Sequence, residues 1–135
     1  MKNMRINKVF FIDKTIDQYS VIIDVRTPLE YKEDHIPNSY NYPVLTNIQR
    51  HEIGIKYKEN SFLAKKIGAQ LISNNIAKIL GKINFDKKDS VLIYCWRGGL
   101  RSLSLYLVLK QIGYDVFLLD GGYKSYRRNV VNYLE

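Results

Sequence analysis

VLIYCWRGGLRSLSLYLVLKQIGYDVFLLD, residues Val91 to Asp120, decides the fold. Val91–Tyr94 is a short run of apolar, partly β-branched residues, the pattern of a strand covered on both faces. Ser102–Ile112 reads as a helix, opened by a good N-cap type at Ser102 and closed by Gly113. Asp115–Asp120 is a second buried-strand run, and two strands joined through a helix lie parallel. Working outward, Val21–Val25 is a third such strand, and Thr27 and Pro28 open a short helical turn, Pro28–Lys32. Ser61–Leu80 is a longer helix with Leu63, Ile67, Leu71, Ile72, Ile76 and Ile79 on its inward stripe. In the tail, Gly122–Leu134 spaces Tyr126, Val130 and Tyr133 or Leu134 as a last helix. Strands alternating with helices predict an α/β domain over residues 1–135: a three-layer fold with a mainly parallel central sheet between helices. There is no internal repeat, low-complexity tract or linker.

The 135 residues suffice for one core without disulfides. At 46% hydrophobic and 25% charged the composition is that of a soluble protein, and no apolar run reaches the roughly 20 residues of a membrane span. The apolar patch Val9–Ile12 is too short for a signal-peptide core, so a cytoplasmic protein is expected. A single cysteine and two histidines, His35 and His51, offer no zinc-ligand spacing, and no metal is expected. The net charge of +8 favours an anionic partner, nucleic acid first, although a lysine-rich surface also serves solubility.

Ligands of such sheets sit beyond the carboxyl ends of the strands, where Cys95 falls. A lone cysteine at a strand end is more often a small buried hydrophobe than a nucleophile. Its neighbours reverse that preference. Gly98 and Gly99 permit a tight loop whose peptide N–H groups turn inward, the following helix adds its positive end, and Arg97 and Arg101 favour the thiolate. Trp96 reads as a core aromatic. Asp24 and Arg26, at the end of another central strand, border the same cleft as a structural ion pair. His35 reads as a hydrogen-bonded structural residue and His51 as surface.

The strings Asp24-Val-Arg-Thr-Pro-Leu-Glu-Tyr and His35-Ile-Pro-Asn-Ser, with the Cys95 loop, resemble the rhodanese domain. YCWRGGLRS (Tyr94–Ser102), GGYKSYRR (Gly121–Arg128) and the segment Arg50–Leu71 are similar to the rhodanese domain of tRNA 2-selenouridine synthases. That resemblance implies exchange of sulfur for selenium in wobble 2-thiouridine of tRNA through a geranylated intermediate. It also implies no bound cofactor, with selenophosphate and geranyl diphosphate as co-substrates. Cys95 would be the essential nucleophile, and Trp96, Arg97, Gly98, Gly99, Leu100, Arg101 and Ser102 its loop. Tyr123 and Tyr126 suit either base stacking or inward packing. Lys124, Arg127 and Arg128, three and four apart on one helix face, with Arg50, Lys56 and Lys58, are the expected tRNA contacts.

The synthases also carry a P-loop domain, whereas no G-x-x-x-x-G-K-[ST] occurs here. A separate P-loop protein is therefore the expected partner, joining either a split subunit or a part of a longer chain. Two other classes fit the residues. The five residues between Cys95 and Arg101 match the spacing of cysteine-dependent phosphatases and arsenate reductases, which would need Asp24 or Asp120 as general acid. A non-catalytic module that docks tRNA or the partner is the other.

Overall fold

Five parallel strands form the sheet, in the order β1-β5-β4-β2-β3. The computed structural model describes residues 5–10 and 18–134, the side chains of 132–134 excepted. Two features of the sequence, the Ile12 end of the N-terminal apolar patch and the Tyr133 or Leu134 position of the last helix, lie outside what is described. The strands are β1 (Lys8–Val9), β2 (Val21–Asp24), β3 (Tyr40–Asn41), β4 (Ser90–Tyr94) and β5 (Asp115–Leu119). The helices are α1 (Pro28–Glu33), α2 (Asn47–Glu59), α3 (Ser61–Lys82), α4 (Leu100–Ile112) and α5 (Gly122–Leu134).

Both faces of the sheet are covered, which is why its central strands are apolar throughout. On one face Val21, Ile23, Val91, Ile93, Val116 and Leu118 pack with Ile76 and Ile79 of α3 and Leu105 and Leu109 of α4. On the other, Ile22, Leu92, Tyr94 and Leu119 pack with Ile36 and with Tyr123 of α5. The α/β/α layering matches the expected fold. Pairing β4 with β2 on one side and β5 on the other puts Cys95 at the carboxyl end of the middle strand.

Two sequence expectations need correction. Ser102 does not cap α4. The helix begins at Leu100 with Gly99 at its N-cap and no side-chain cap, so Ser102 lies inside the first turn, fully buried. Leu63 is not inward: it is 37% exposed, and the buried positions of α3 are Ala64, Gly68, Asn75, Ile76 and Ile79. The small residues at 64 and 68 face α2, where a Cβ on Gly68 would meet Ile53 at 3.9 Å. A further helix, α2, lies outside the elements that the apolar pattern predicts. It has no buried residue, and its start is marked only by the capping box of Thr46 and Gln49.

The last helix packs its first residue directly on the Cys95 loop. Gly122 has φ +59, and a Cβ there would stand 2.8 Å from Gly98 N and from the Trp96 carbonyl carbon, and closer still to the Cys95 carbonyl oxygen. Gly98, at φ +77, faces the backbone of Gly121 in return. Both positions need glycine, for close approach and for left-handed backbone. Gly122→Ala is expected to cost about 2–3 kcal/mol and to lower the thermal midpoint by several degrees.

Candidate active site

The Cys95 side chain forms the floor of an opening of about 730 Å³ bounded by Arg50, Tyr57, Trp96, Arg97, Gly99, Leu100 and Arg101. Only 2% of the residue is exposed, so its sulfur is reached from the opening and not from open surface. The Gly99 N–H donates to Sγ at 3.2 Å, and the Ser102 hydroxyl lies 3.1 Å from it. The same hydroxyl is 3.2 Å from the Gly99 carbonyl oxygen. Its single proton can go to that carbonyl while the thiol donates to Ser102, or to sulfur once the thiol ionises. Ser102, expected as a cap, instead serves the sulfur directly.

The loop holds this shape because its carbonyls are drawn outward. Tyr123 N–H donates to the Cys95 carbonyl at 2.7 Å and Lys124 N–H to that of Trp96 at 2.9 Å. These bonds satisfy two otherwise orphan donors at the start of α5. Of the loop's N–H groups, that of Gly99 is the one that donates to the sulfur.

The two loop arginines part company. Arg97 is exposed and has no ion pair or hydrogen bond among the described residues. Arg101 is not free beside the sulfur: its guanidinium makes a two-pronged contact with Glu30, at 2.8 and 3.3 Å. Arg50 approaches the same carboxylate at 3.5 Å. Glu30 also accepts from Thr27 N–H at 3.1 Å in the α1 capping box. Burial acts to raise the Glu30 carboxyl, but the Arg101 contact, helped by Thr27 and Arg50, holds it below the usual glutamate range. Sequence reasoning missed Glu30 because its partner lies 71 positions away.

Beneath the loop, Asp24 and Arg26 form a buried pair. Nη2 of Arg26 meets Oδ2 at 2.8 Å, Nε meets both oxygens at 3.1 Å, and Nη2 also donates to the Asp34 carbonyl at 2.6 Å. Burial works against the Arg26 cation, yet Asp24 keeps its pKa above the ordinary value. Arg26 lies 4.3 Å from the Tyr123 ring centroid, and the Tyr123 hydroxyl bonds to Asp34. Burial and that carboxylate push the Tyr123 phenol upward. Tyr123 therefore packs inward, stacked on Trp96 at 6.0 Å, and is no platform for a base. Arg26 reaches a small recess with Glu30, Glu33, Arg50 and Trp96, whereas Asp24 is fully buried behind it.

Gly99 differs from its neighbour Gly98: at φ −90, with nothing within 4 Å of a built Cβ, its own backbone does not demand glycine. Lys124, Arg127, Arg128, Arg50 and Lys58 are exposed and Lys56 half-buried. His35 stacks on Tyr31 at 3.7 Å and bonds its carbonyl, while His51 is exposed on α2. No cluster of metal-binding side chains and no membrane-length apolar helix occurs among the described residues.

A family model described as the rhodanese-like domain matches residues 11–129. The chain belongs to this family. Rhodanese-like residues of this chain are 35% identical over 117 positions to a protein named tRNA 2-selenouridine synthase from Psychromonas ingrahamii, covering 84% of this chain and 32% of that one. A protein of the same name from Sulfurovum sp. is 36% identical over 110 residues, 78% of this chain and 30% of that one. The chain thus spans about a third of these relatives' length. Among solved structures, it resembles the N-terminal domain of a candidate ATP/GTP-binding protein from Clostridium difficile 630. The TM-score is 0.80 at 36% identity, covering 93% of this chain and 99% of that domain. The fold is shared with Bacillus anthracis CoADR-RHD, at TM-score 0.62 and 22% identity.

A phosphatase reading of this rhodanese-like loop finds its parts already engaged. Arg101 is held by Glu30, Asp24 has both oxygens bound by Arg26, and Asp120 borders neither the Cys95 opening nor the Arg26 recess. The Glu30 contact has its own signature. Because the folded carboxyl lies below its unfolded value, its stabilisation is complete above the unfolded value and is lost as pH falls through the folded one. Glu30→Gln is expected to cost about 1–2 kcal/mol at neutral pH and to flatten the acid limb of a stability–pH curve. An acid limb unchanged by the substitution would exclude this role.

Proposed function

We propose that this rhodanese-like chain is the cysteine-bearing part of a tRNA-modifying enzyme that replaces sulfur with selenium in wobble 2-thiouridine. Cys95 is the nucleophile that carries or delivers selenium. The observation that carries the reading is the Cys95 floor itself. A soft anion built on Sγ would meet the inward Gly99 N–H and the Ser102 hydroxyl, with unpaired Arg97 on the rim. The shared name of the relatives at 35% and 36% identity supports the same chemistry. Selenophosphate is the selenium donor, and a geranylated 2-thiouridine, formed from geranyl diphosphate, is the species at which selenium bonds to C2 as the geranyl thiolate leaves. Neither is a resident cofactor.

The relatives are about three times longer, and a P-loop domain, on a separate protein or on the same longer chain, completes the enzyme. Likeness to an N-terminal domain of a candidate ATP/GTP-binding protein supports that choice. Transfer RNA is the macromolecular substrate, its phosphates met by the exposed Lys124, Arg127 and Arg128 face of α5, by Arg50 at the Cys95 opening, and by Lys56 and Lys58 further along α2. A net charge of +8 suits that partner.

In an assay of the chain with its P-loop partner, Cys95→Ala is expected to reduce selenation of 2-thiouridine tRNA to background with the fold retained. Full selenation by that variant would overturn the assignment. Transfer RNA affinity should fall steeply with added salt, and Arg127→Ala should reduce the slope by about one. A salt-independent affinity would remove tRNA from the α5 face.

A further inference from the structure

Tyr123 and Tyr126, the two tyrosines that suit base stacking in the sequence, both pack inward. Tyr123 lies against Trp96 at 6.0 Å and Tyr126 against Tyr123 at 5.7 Å, in the same apolar cluster. The Cys95 opening carries a different ring. Tyr57 of α2 borders it beside Arg50, Trp96 and Leu100, and is 50% exposed. The other exposed phenylalanines and tyrosines among the described residues, Phe10, Tyr40 and Phe62, do not border it.

Tyr57 is free to receive a planar group. Among the described residues its hydroxyl makes no hydrogen bond and its ring no aromatic contact. A single cation approaches the ring, Lys65, whose Nζ lies 6.0 Å from the centroid. Arg50 and Tyr57 are two helical turns apart and share one face of α2. Gly54, between them on that face, carries no side chain to cover the ring. Because α2 buries no residue, packing of the fold does not account for an aromatic here.

Every base has a π-face, so a ring of this kind takes any base that is out of its helical stack. Enzymes that act on a base hold it in that state between aromatic and apolar side chains. Leu100, 66% exposed on the same rim, supplies the apolar side chain, and Arg50 and Lys65 supply cations for the flanking phosphates. We infer that Tyr57 is the stacking residue for the target pyrimidine, which enters the Cys95 opening with its ring on Tyr57 and its C2 substituent towards Sγ. Tyr57 thereby selects an unpaired nucleotide and not the identity of its base. The assignment of C2 as the reacting atom rests on the selenium-exchange reading; the placement of a base on Tyr57 beside the thiol rests on the ring and the opening.

The test binds the chain, together with its P-loop partner, to an anticodon stem-loop RNA carrying pyrrolocytidine, a fluorescent pyrimidine, at the wobble position. Wild type and Tyr57→Phe are expected to quench the fluorescence by stacking. Tyr57→Ala should abolish the quench and weaken binding about five- to a hundredfold, with the thermal midpoint unchanged. Tyr57→Leu, which keeps apolar bulk without a π-face, should lose the quench as well. A wild type that leaves the fluorescence unchanged, or a quench that survives Tyr57→Ala, would overturn the proposal. If Tyr57→Ala keeps the quench and loses the P-loop partner, the ring is a protein contact and the proposal fails. Uptake of selenium or sulfur on Cys95, read by mass spectrometry, separates the two readings. A Cys95 that stays unloaded while the Tyr57-dependent quench holds counts against selenium exchange and not against stacking.

Discussion

Two hydrogen bonds across a loop, from the first N–H groups of α5 to the carbonyls of Cys95 and Trp96, set the geometry on which the site depends. A peptide unit cannot turn its carbonyl outward without turning its N–H groups the other way. Fixing those two carbonyls against α5 therefore shapes the space around the sulfur. The contact is possible only because position 122 has no side chain, and it is backed by the stack of Trp96 on Tyr123. Under that stack lies the Arg26 guanidinium, neutralised by Asp24 and tied to the Asp34 carbonyl. Buried charge of this kind is tolerated because its carboxylate and guanidinium are paired, and among the described residues no buried side-chain nitrogen or oxygen lacks a partner.

The rim is governed by a different balance. Three arginines surround the Cys95 opening, yet Glu30 engages Arg101 closely and Arg50 loosely, leaving Arg97 as the unopposed cation. Formal charge in the loop therefore overstates what an incoming anion meets. Glu30 also belongs to the α1 capping box, so the end of a short helix and the start of α4 are tied through one carboxylate.

The parts of this arrangement legible in the sequence are those with local causes. β2, β4 and β5 announce themselves as apolar runs because both faces of a parallel sheet are covered, and Gly113 closes α4 as expected, with φ +116. The cysteine at the end of the central strand followed from the same pattern. β1 and β3, of two residues each, are too short to carry any period. α2 has no apolar period because it buries no residue, and only the Thr46–Gln49 box marks it in the sequence. Ser102 has the chemistry of a cap, but the helix starts two residues earlier, which turns its hydroxyl towards sulfur. Glu30 could not be paired with Arg101 from spacing at all, since tertiary folding alone brings α1 beside α4.

The clasp of α5 on the Cys95 loop also makes the thiol's surroundings depend on residues distant from it in the chain. The middle of the sheet can form once β5 exists, and Lys8 finds its register with Leu118 at that stage. The cradle around the sulfur is closed by Tyr123 and Lys124. During synthesis the cysteine is thus made well before the elements that shape its surroundings. Competence of the thiol is then a property of the whole fold, α5 included.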